Sequence, residues 1–179
     1  MGTRGTLRVY LDGKLKIRQY NQWDSYPTGQ LAGICRFLAS ENNRKVLVSR
    51  LKHLAFYTDE EVDSFDKEEG NQFEKAKYMY TTNRGWGSNI LNLLCIMPSS
   101  YYGGTTVEGE VIHYKLADWA KVFDEEDLAD EEGNYIVYLH SDGCAVSISG
   151  DWHGVKMDFG LNEIPDEESL KRWEEMGSE

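Results

Sequence analysis

The chain has 179 residues, a length that suits a single domain over residues 1–179. Its net charge of −12 argues against direct binding to nucleic acid. No apolar stretch reaches the roughly 20 residues that a membrane-spanning helix needs. Three cysteines without a Cys-x-x-Cys pair indicate neither a disulfide framework nor a zinc site. We therefore expect a cytoplasmic protein that contacts no membrane and needs no metal or cofactor.

The charge is unevenly distributed along the chain. Residues 1–57 carry ten Lys/Arg and three Asp/Glu, whereas residues 58–179 carry nine Lys/Arg and 28 Asp/Glu. The acidic part favours a basic protein partner, and it also serves solubility. The basic N-terminal third favours an anionic small ligand.

Residues 5–20 are predicted to form a β-hairpin, because apolar and polar residues alternate on both sides of the turn dipeptide Asp12-Gly13. The alternation predicts an apolar face of Leu7, Val9, Leu11, Leu15 and Ile17 and a basic face that includes Lys14, Lys16 and Arg18. We expect helices to pack on the apolar face.

Helices are predicted in the middle of the chain, after a loop over 21–29. Apolar residues at helical spacing indicate helices over 29–40 and about 44–57, separated by Asn42-Asn43. Thr58 or Asp59 is a predicted cap for a short acidic helix. The pattern over 71–80 fits a helix and a strand equally. The next predicted helix begins near Ser88 and ends at Pro98.

The last third of the chain has the alternation typical of strands. Strands are predicted over 110–116, 134–140, 144–149 and 155–159, and the chain ends in a predicted helix over 166–176. This order predicts an α+β fold. We expect the N-terminal β-hairpin and the C-terminal antiparallel strands to lie in one sheet covered by helices.

The segment Tyr20–Gln30 concentrates three aromatic rings, a carboxylate and three amides around a Pro/Gly bend. It ends at a predicted helix start, where free N–H groups and positive potential suit an anion. Gly29 would let a ligand approach the backbone closely. The alternative interpretation is an ordered corner in which Asp24 or Thr28 caps the helix and the aromatic rings cover the hairpin.

The same segment resembles a motif, R-(hairpin)-Y-[GN]-Q-W-D-x-Y-P-x-G-Q, of a widespread and largely uncharacterised family of small proteins from fungi, bacteria and their viruses. The matching residues are Arg4, Tyr20, Asn21, Gln22, Trp23, Asp24, Tyr26, Pro27, Gly29 and Gln30. A second, looser block matches at Arg84, Gly87, Ile90 and Leu91. The resemblance implies a shared fold and a shared site.

We therefore predict a binding protein whose site holds an anionic small molecule or a protein partner. The predicted ligand-binding residues are Arg4, Tyr20, Gln22, Trp23, Asp24, Tyr26, Gly29 and Arg84. Two alternatives stay open. One is an acidic interaction protein, such as a viral inhibitor of a host defence enzyme. The other is a small hydrolase that uses Asp24 with a basic partner.

Overall fold

The structure is a computed structural model, and it describes residues 3–67, 70, 72–82, 88–96, 105–107, 109–122, 132–143 and 146–178. Its strands are β1 (Gly5–Leu11), β2 (Lys14–Asn21), β3 (Leu54–Phe56), β4 (Thr105–Val107), β5 (Glu110–Ile112), β6 (Tyr114–Leu116), β7 (Gly133–Leu139), β8 (Val146–Trp152) and β9 (Val155–Gly160). Its helices are α1 (Ala32–Ala39), α2 (Glu41–Leu51), α3 (Asp59–Ser64), α4 (Gln72–Thr81), α5 (Asn89–Ile96), α6 (Trp119–Val122) and α7 (Glu167–Gly177). A π-helical turn, Pro27–Leu31, leads directly into α1.

The main sheet has five strands in the order β2-β1-β7-β8-β9, so it joins the N-terminal hairpin to the C-terminal strands as the sequence predicted. The C-terminal strands are antiparallel to one another. However, β1 and β7 are parallel, with Gly5 opposite Gly133 and Leu11 opposite Leu139, which makes the sheet mixed. Parallel neighbours require a long crossover, and here the connection contains most of the helices.

One face of the sheet carries the hydrophobic core. Alternate residues of β1 and β7, among them Leu7, Val9, Tyr135 and Val137, are buried there. The helices α1, α2 and α5 contribute leucine and isoleucine side chains to the same cluster. At the β9 side, α7 packs through Trp173, whose ring stacks on that of Phe159 at 6.1 Å. This sheet-and-helix arrangement is an α+β fold.

The hairpin departs from regular alternation at a β-bulge. Val9 pairs with Ile17 and Tyr10 with Leu15, so Lys16 is an extra residue in β2. Leu15 therefore shares the outer face of the sheet with Tyr10, which stacks on Tyr138, and does not join the predicted apolar face. A bulge redirects the side chain of the extra residue.

The second predicted helix was too long at its C-terminal end. It ends at Leu51, and Leu54–Phe56 forms β3, which pairs in parallel with β6. At the N-terminal end, the Ser40 hydroxyl accepts a hydrogen bond from the Asn43 backbone N–H and caps the helix. Asn43 consequently lies in the first turn of α2 and does not break it.

Local signals predicted several other elements, but β4 was not predicted, and the strand predicted over 110–116 is two strands, β5 and β6, which pair with β4 and β3 respectively. Thr58 forms a capping box with Glu61 at the start of α3, and the ambiguous segment at 71–80 is the helix α4. Asp166 caps α7 by accepting a hydrogen bond from the Ser169 backbone N–H. In the described part of the chain, no helix is long and apolar enough to cross a membrane.

Candidate functional site

A buried serine holds the bend between β2 and the π-helical turn. Ser25 is completely buried, and its hydroxyl accepts a hydrogen bond from Asn21 Nδ2 at 3.0 Å. Its carbonyl oxygen accepts one from the Tyr135 hydroxyl at 2.8 Å. A Cβ on Gly133 would lie 2.2 Å from this carbonyl oxygen, and a Cβ on Gly5 would lie 2.7 Å from the serine Cβ. The bend is thus packed tightly against the first residues of β1 and β7.

Gly29 closes the bend on itself. A Cβ at this position would lie 2.4 Å from the Asp24 carbonyl oxygen and 2.8 Å from Cε2 of Tyr26. The same carbonyl oxygen accepts a hydrogen bond from the Gln30 backbone N–H at 2.9 Å. The absent side chain therefore makes room for the loop itself, which gives this glycine a structural role.

Gln30 ties the bend to α5. The side chain is buried, and its Oε1 accepts a hydrogen bond from the Ser88 backbone N–H at 2.9 Å. That N–H lies just before the first turn of α5, where helical N–H groups have no partner within the helix. Gln30 therefore caps the N-terminus of α5, whose start was predicted near Ser88.

Three side chains of the bend face outward, and together we call them the bend surface: Trp23, Asp24 and Tyr26. The Trp23 side chain is 55% exposed and Asp24 is exposed. Asp24 has a φ of 57°, in the left-handed region that aspartate tolerates better than most residues. Tyr26 is half-buried, and its hydroxyl donates a hydrogen bond to Asp24 Oδ1 at 3.1 Å.

The bend surface carries a negative charge, that of the Asp24 carboxylate. The hydrogen bond to Asp24 is the main cause that raises the pKa of the Tyr26 phenol, and burial and the Glu174 carboxylate act in the same direction. The phenol therefore stays protonated and acts as a donor to the carboxylate. An arrangement of this kind presents an indole beside a fixed negative charge.

The C-terminal helix α7 borders the bend. Glu174 Oε2 accepts hydrogen bonds from the Thr28 hydroxyl at 2.5 Å and from its backbone N–H at 3.3 Å. The Trp152 indole N–H in turn donates to the Glu174 backbone carbonyl at 3.1 Å. Sequence reasoning missed Glu174, because it lies 146 residues from Thr28 and no local pattern connects the two.

The other predicted site residues occupy different positions. Tyr20 is buried, with its ring centroid 5.9 Å from that of Trp119, and Gln22 is half-buried. Arg4 lies beside the bend through its backbone, because Ser25 N–H donates to the carbonyl of the preceding Thr3 at 3.4 Å. Arg84 lies outside the described residues. The bend therefore exposes Trp23, Asp24 and Tyr26, while Tyr20 and Gly29 support it from within.

The described residues line four cavities of about 230, 300, 340 and 450 Å³. Neither Trp23 nor Asp24 lines any of these four, although Thr28 lines the one between α1 and α7. Within the described ranges, no group of three or more His, Cys, Asp or Glu side chains is placed to hold a metal ion. Within the described residues, the bend surface thus offers exposed side chains outside these four cavities.

The fold and the bend were compared with known proteins in three ways. No family model, no curated protein and no solved structure matches this chain.

Proposed function

We propose that the chain is a binding protein that recognises another protein through the bend surface. The observation that carries the proposal is the exposure of Trp23 on a rigid support. The support is built from the buried Ser25 and the close approach at Gly29, so the indole is presented from a fixed backbone. Tryptophan and tyrosine dominate the energetics of protein interfaces, and little entropy is lost when they are held in place before binding.

The shape of the bend surface favours a protein partner over a small molecule. Small-molecule sites are concave and bury most of the ligand. Trp23 and Asp24 are exposed, and they line none of the four cavities formed by described residues. A protein segment with its own hydrophobic depression supplies the enclosure that this surface lacks.

The charge around the bend favours a basic partner. Asp24 belongs to the bend surface, and Glu174 is hydrogen-bonded to the same loop. The helix that contains Glu174 has four glutamates and two basic residues, and residues 58–179 carry most of the negative charge of the chain. Complementary charge accelerates association and selects the partner, and salt weakens this effect.

The proposal is tested with a displayed library of random dodecapeptides selected on the immobilised protein at low salt. We expect the selected peptides to be enriched in Lys and Arg. A synthetic peptide from the selection should bind at least about tenfold more weakly to the Trp23→Ala variant, as expected for an interface anchor. Binding to Asp24→Asn should be weaker and should depend less on salt.

Two variants serve as matched controls. Tyr138→Ala removes another exposed aromatic side chain, and Asp158→Asn removes another exposed carboxylate; both lie on strands of the main sheet. Neither should change the affinity more than about twofold. Selected peptides without an excess of basic residues, or equal binding by wild type and Trp23→Ala, would contradict the proposal. A Trp23→Ala/Asp24→Ala double variant that fails to fold cooperatively would show that the bend surface is structural.

A further inference from the structure

A cavity of about 300 Å³ lies at the opposite end of the N-terminal hairpin from the bend. It is an open depression bordered by the hairpin turn, the residues that follow α2, and β5. The seven residues of β1 separate the turn from the bend by about 20 Å, at about 3.3 Å per residue. The cavity is therefore independent of the bend surface.

Three lysines outnumber two carboxylates in the lining of this cavity. Lys14, Lys16, Lys52 and His53 line it, together with the carboxylates of Asp12 and Glu110. This grouping contrasts with the net charge of −12 of the whole chain.

The β-bulge brings Lys16 to the cavity. As the extra residue of β2, Lys16 turns toward the residues after α2, and its Nζ donates a hydrogen bond to the Leu54 carbonyl at 3.1 Å. In a regular hairpin it would have shared the outer face with Arg18. The bulge thus adds a cation to this cavity and removes one from the outer face.

The carboxylates of the lining are already engaged. Glu110 Oε1 pairs with Lys14 Nζ at 3.5 Å, and Asp12 Oδ1 accepts a hydrogen bond from the Ser141 backbone N–H at 3.0 Å. Lys16 and Lys52 form no ion pair with another described residue. Burial and the neighbouring Lys14 lower the pKa of Lys16, against the opposing effect of Glu110. Lys16 and Lys52 are therefore the lysines of the lining that an anion in the cavity could pair with.

His53 borders the cavity, but its ring proton is directed to a backbone carbonyl and not to the cavity. Its Nδ1 lies 2.9 Å from the Val111 carbonyl oxygen. A carbonyl oxygen only accepts hydrogen bonds, so Nδ1 carries the proton and the orientation of the ring is fixed. The negative end of the α2 dipole also points toward this region, but the dipole represents only about half a charge. The lysines outweigh it.

We propose that this cavity binds the phosphate group of a small phosphorylated molecule. Two lysine ammonium groups at one surface depression suit a compact anion with more than one negative charge. The volume of about 300 Å³ is at the lower end of the range for small-ligand sites, about 300 to 1,000 Å³. The site takes free phosphate or a phosphate monoester by the same contacts.

The test measures the binding of inorganic phosphate, pyrophosphate, AMP and a phosphoserine peptide by calorimetry, against sodium chloride at matched ionic strength. We expect saturable binding by wild type that is weakened about fivefold in Lys52→Gln and in Lys16→Gln, the loss of one partly exposed ion contact. Lys45→Gln is the control, because Lys45 is an exposed lysine of α2 that pairs with Glu41 away from the cavity. It should bind as wild type does.

Comparing the affinities of these ligands distinguishes a site for free phosphate from a site for a phosphate monoester. Tighter binding of AMP than of inorganic phosphate identifies a phosphate monoester, and the reverse identifies free phosphate; both support the site. No saturable binding, or equal binding by wild type and Lys52→Gln, overturns the proposal. A phosphoserine peptide that binds more tightly than every small phosphate also overturns it, in favour of a protein ligand. Lys52 is exposed, so its variant remains informative if Lys16→Gln does not fold.

Discussion

The bend between the hairpin and the first helix depends on a backbone approach that only glycine permits. In a Gly29→Ala variant the new Cβ would lie 2.4 Å from the Asp24 carbonyl oxygen, whereas ordinary contacts begin at 3.4 Å. The carbonyl would have to move by about 1 Å. That shift would lengthen its hydrogen bond with the Gln30 backbone N–H, which also donates to the Tyr26 carbonyl at 3.0 Å. It would also displace the adjacent Trp23 and Asp24.

The free energy of unfolding is expected to fall by about 2 to 3 kcal/mol in Gly29→Ala. The overpacking accounts for about 2 to 3 kcal/mol, and the weakened hydrogen bond for less than about 0.5 kcal/mol, because the Gln30 N–H keeps the Tyr26 carbonyl as an acceptor. The reduced entropy of the unfolded chain offsets about 0.5 kcal/mol. For a chain of this length the loss corresponds to a decrease in Tm of about 4 to 12 °C.

The assay is urea denaturation with Gly160→Ala as the matched control. A Cβ at Gly160 would meet the Val146 carbonyl oxygen at 3.8 Å, an ordinary contact, so the free energy of unfolding should change by less than about 0.5 kcal/mol. If Gly29→Ala is as stable as Gly160→Ala, the bend does not close in the way described above. The selected peptides should also bind poorly to Gly29→Ala, because the bend surface is displaced.

Arg44→Met should lower the free energy of unfolding by about 3 kcal/mol, because the buried guanidinium donates hydrogen bonds to carbonyl oxygens at the end of α1, including that of Leu38 at 2.6 Å. Lys45→Met is the control; it removes an exposed ion pair and should change the free energy of unfolding by less than about 0.5 kcal/mol. Similar losses in the two variants would refute the role of Arg44. Burial raises the pKa of the Cys35 thiol to about 12, so iodoacetamide at pH 8 should label Cys35 of the native protein far more slowly than Cys95, whose thiol is half-buried. Peptide mass spectrometry measures both rates, and rapid labelling of Cys35 would contradict its burial.

The hairpin shows which part of the fold was predictable. Asp12 and Gly13 both have positive φ, 48° and 79°, as in the tight turn that this dipeptide favours. The turn is a local property, and the prediction was confirmed. The bulge at Lys16 was not visible, because the pairing of Leu15 with Tyr10 depends on the partner strand and leaves the spacing of apolar residues unchanged.

The end of α2 illustrates the opposite case. Leucines at 47, 51 and 54 continue the helical spacing, and nothing local ends the helix before 57. The structure ends the helix because Leu54 pairs with Tyr114 in the parallel β3–β6 ladder. A contact across 60 residues outweighs local periodicity, which carries no information about the partner strand.

The bend between the hairpin and the first helix was predicted from the sequence, but its inner and outer residues were not separable from composition. Tyr20 is interior because it meets Trp119, and Ser25 is interior because it meets the first residues of β1 and β7. These partners are distant in the chain. Trp23, with the same aromatic character as Tyr20, is outside.

The distribution of burial within the bend bears on how a binding result is to be interpreted. Burying a large aromatic side chain normally stabilises a fold by several kcal/mol. Here Ser25 is completely buried and Asn21 is nearly so, while the Trp23 indole is 55% exposed. Trp23 contributes its backbone carbonyl, which accepts a hydrogen bond from the Asn21 side chain, and Trp23→Ala keeps that carbonyl. The support of the bend is therefore complete without the indole, and a loss of peptide binding in Trp23→Ala measures a lost contact and not a lost fold.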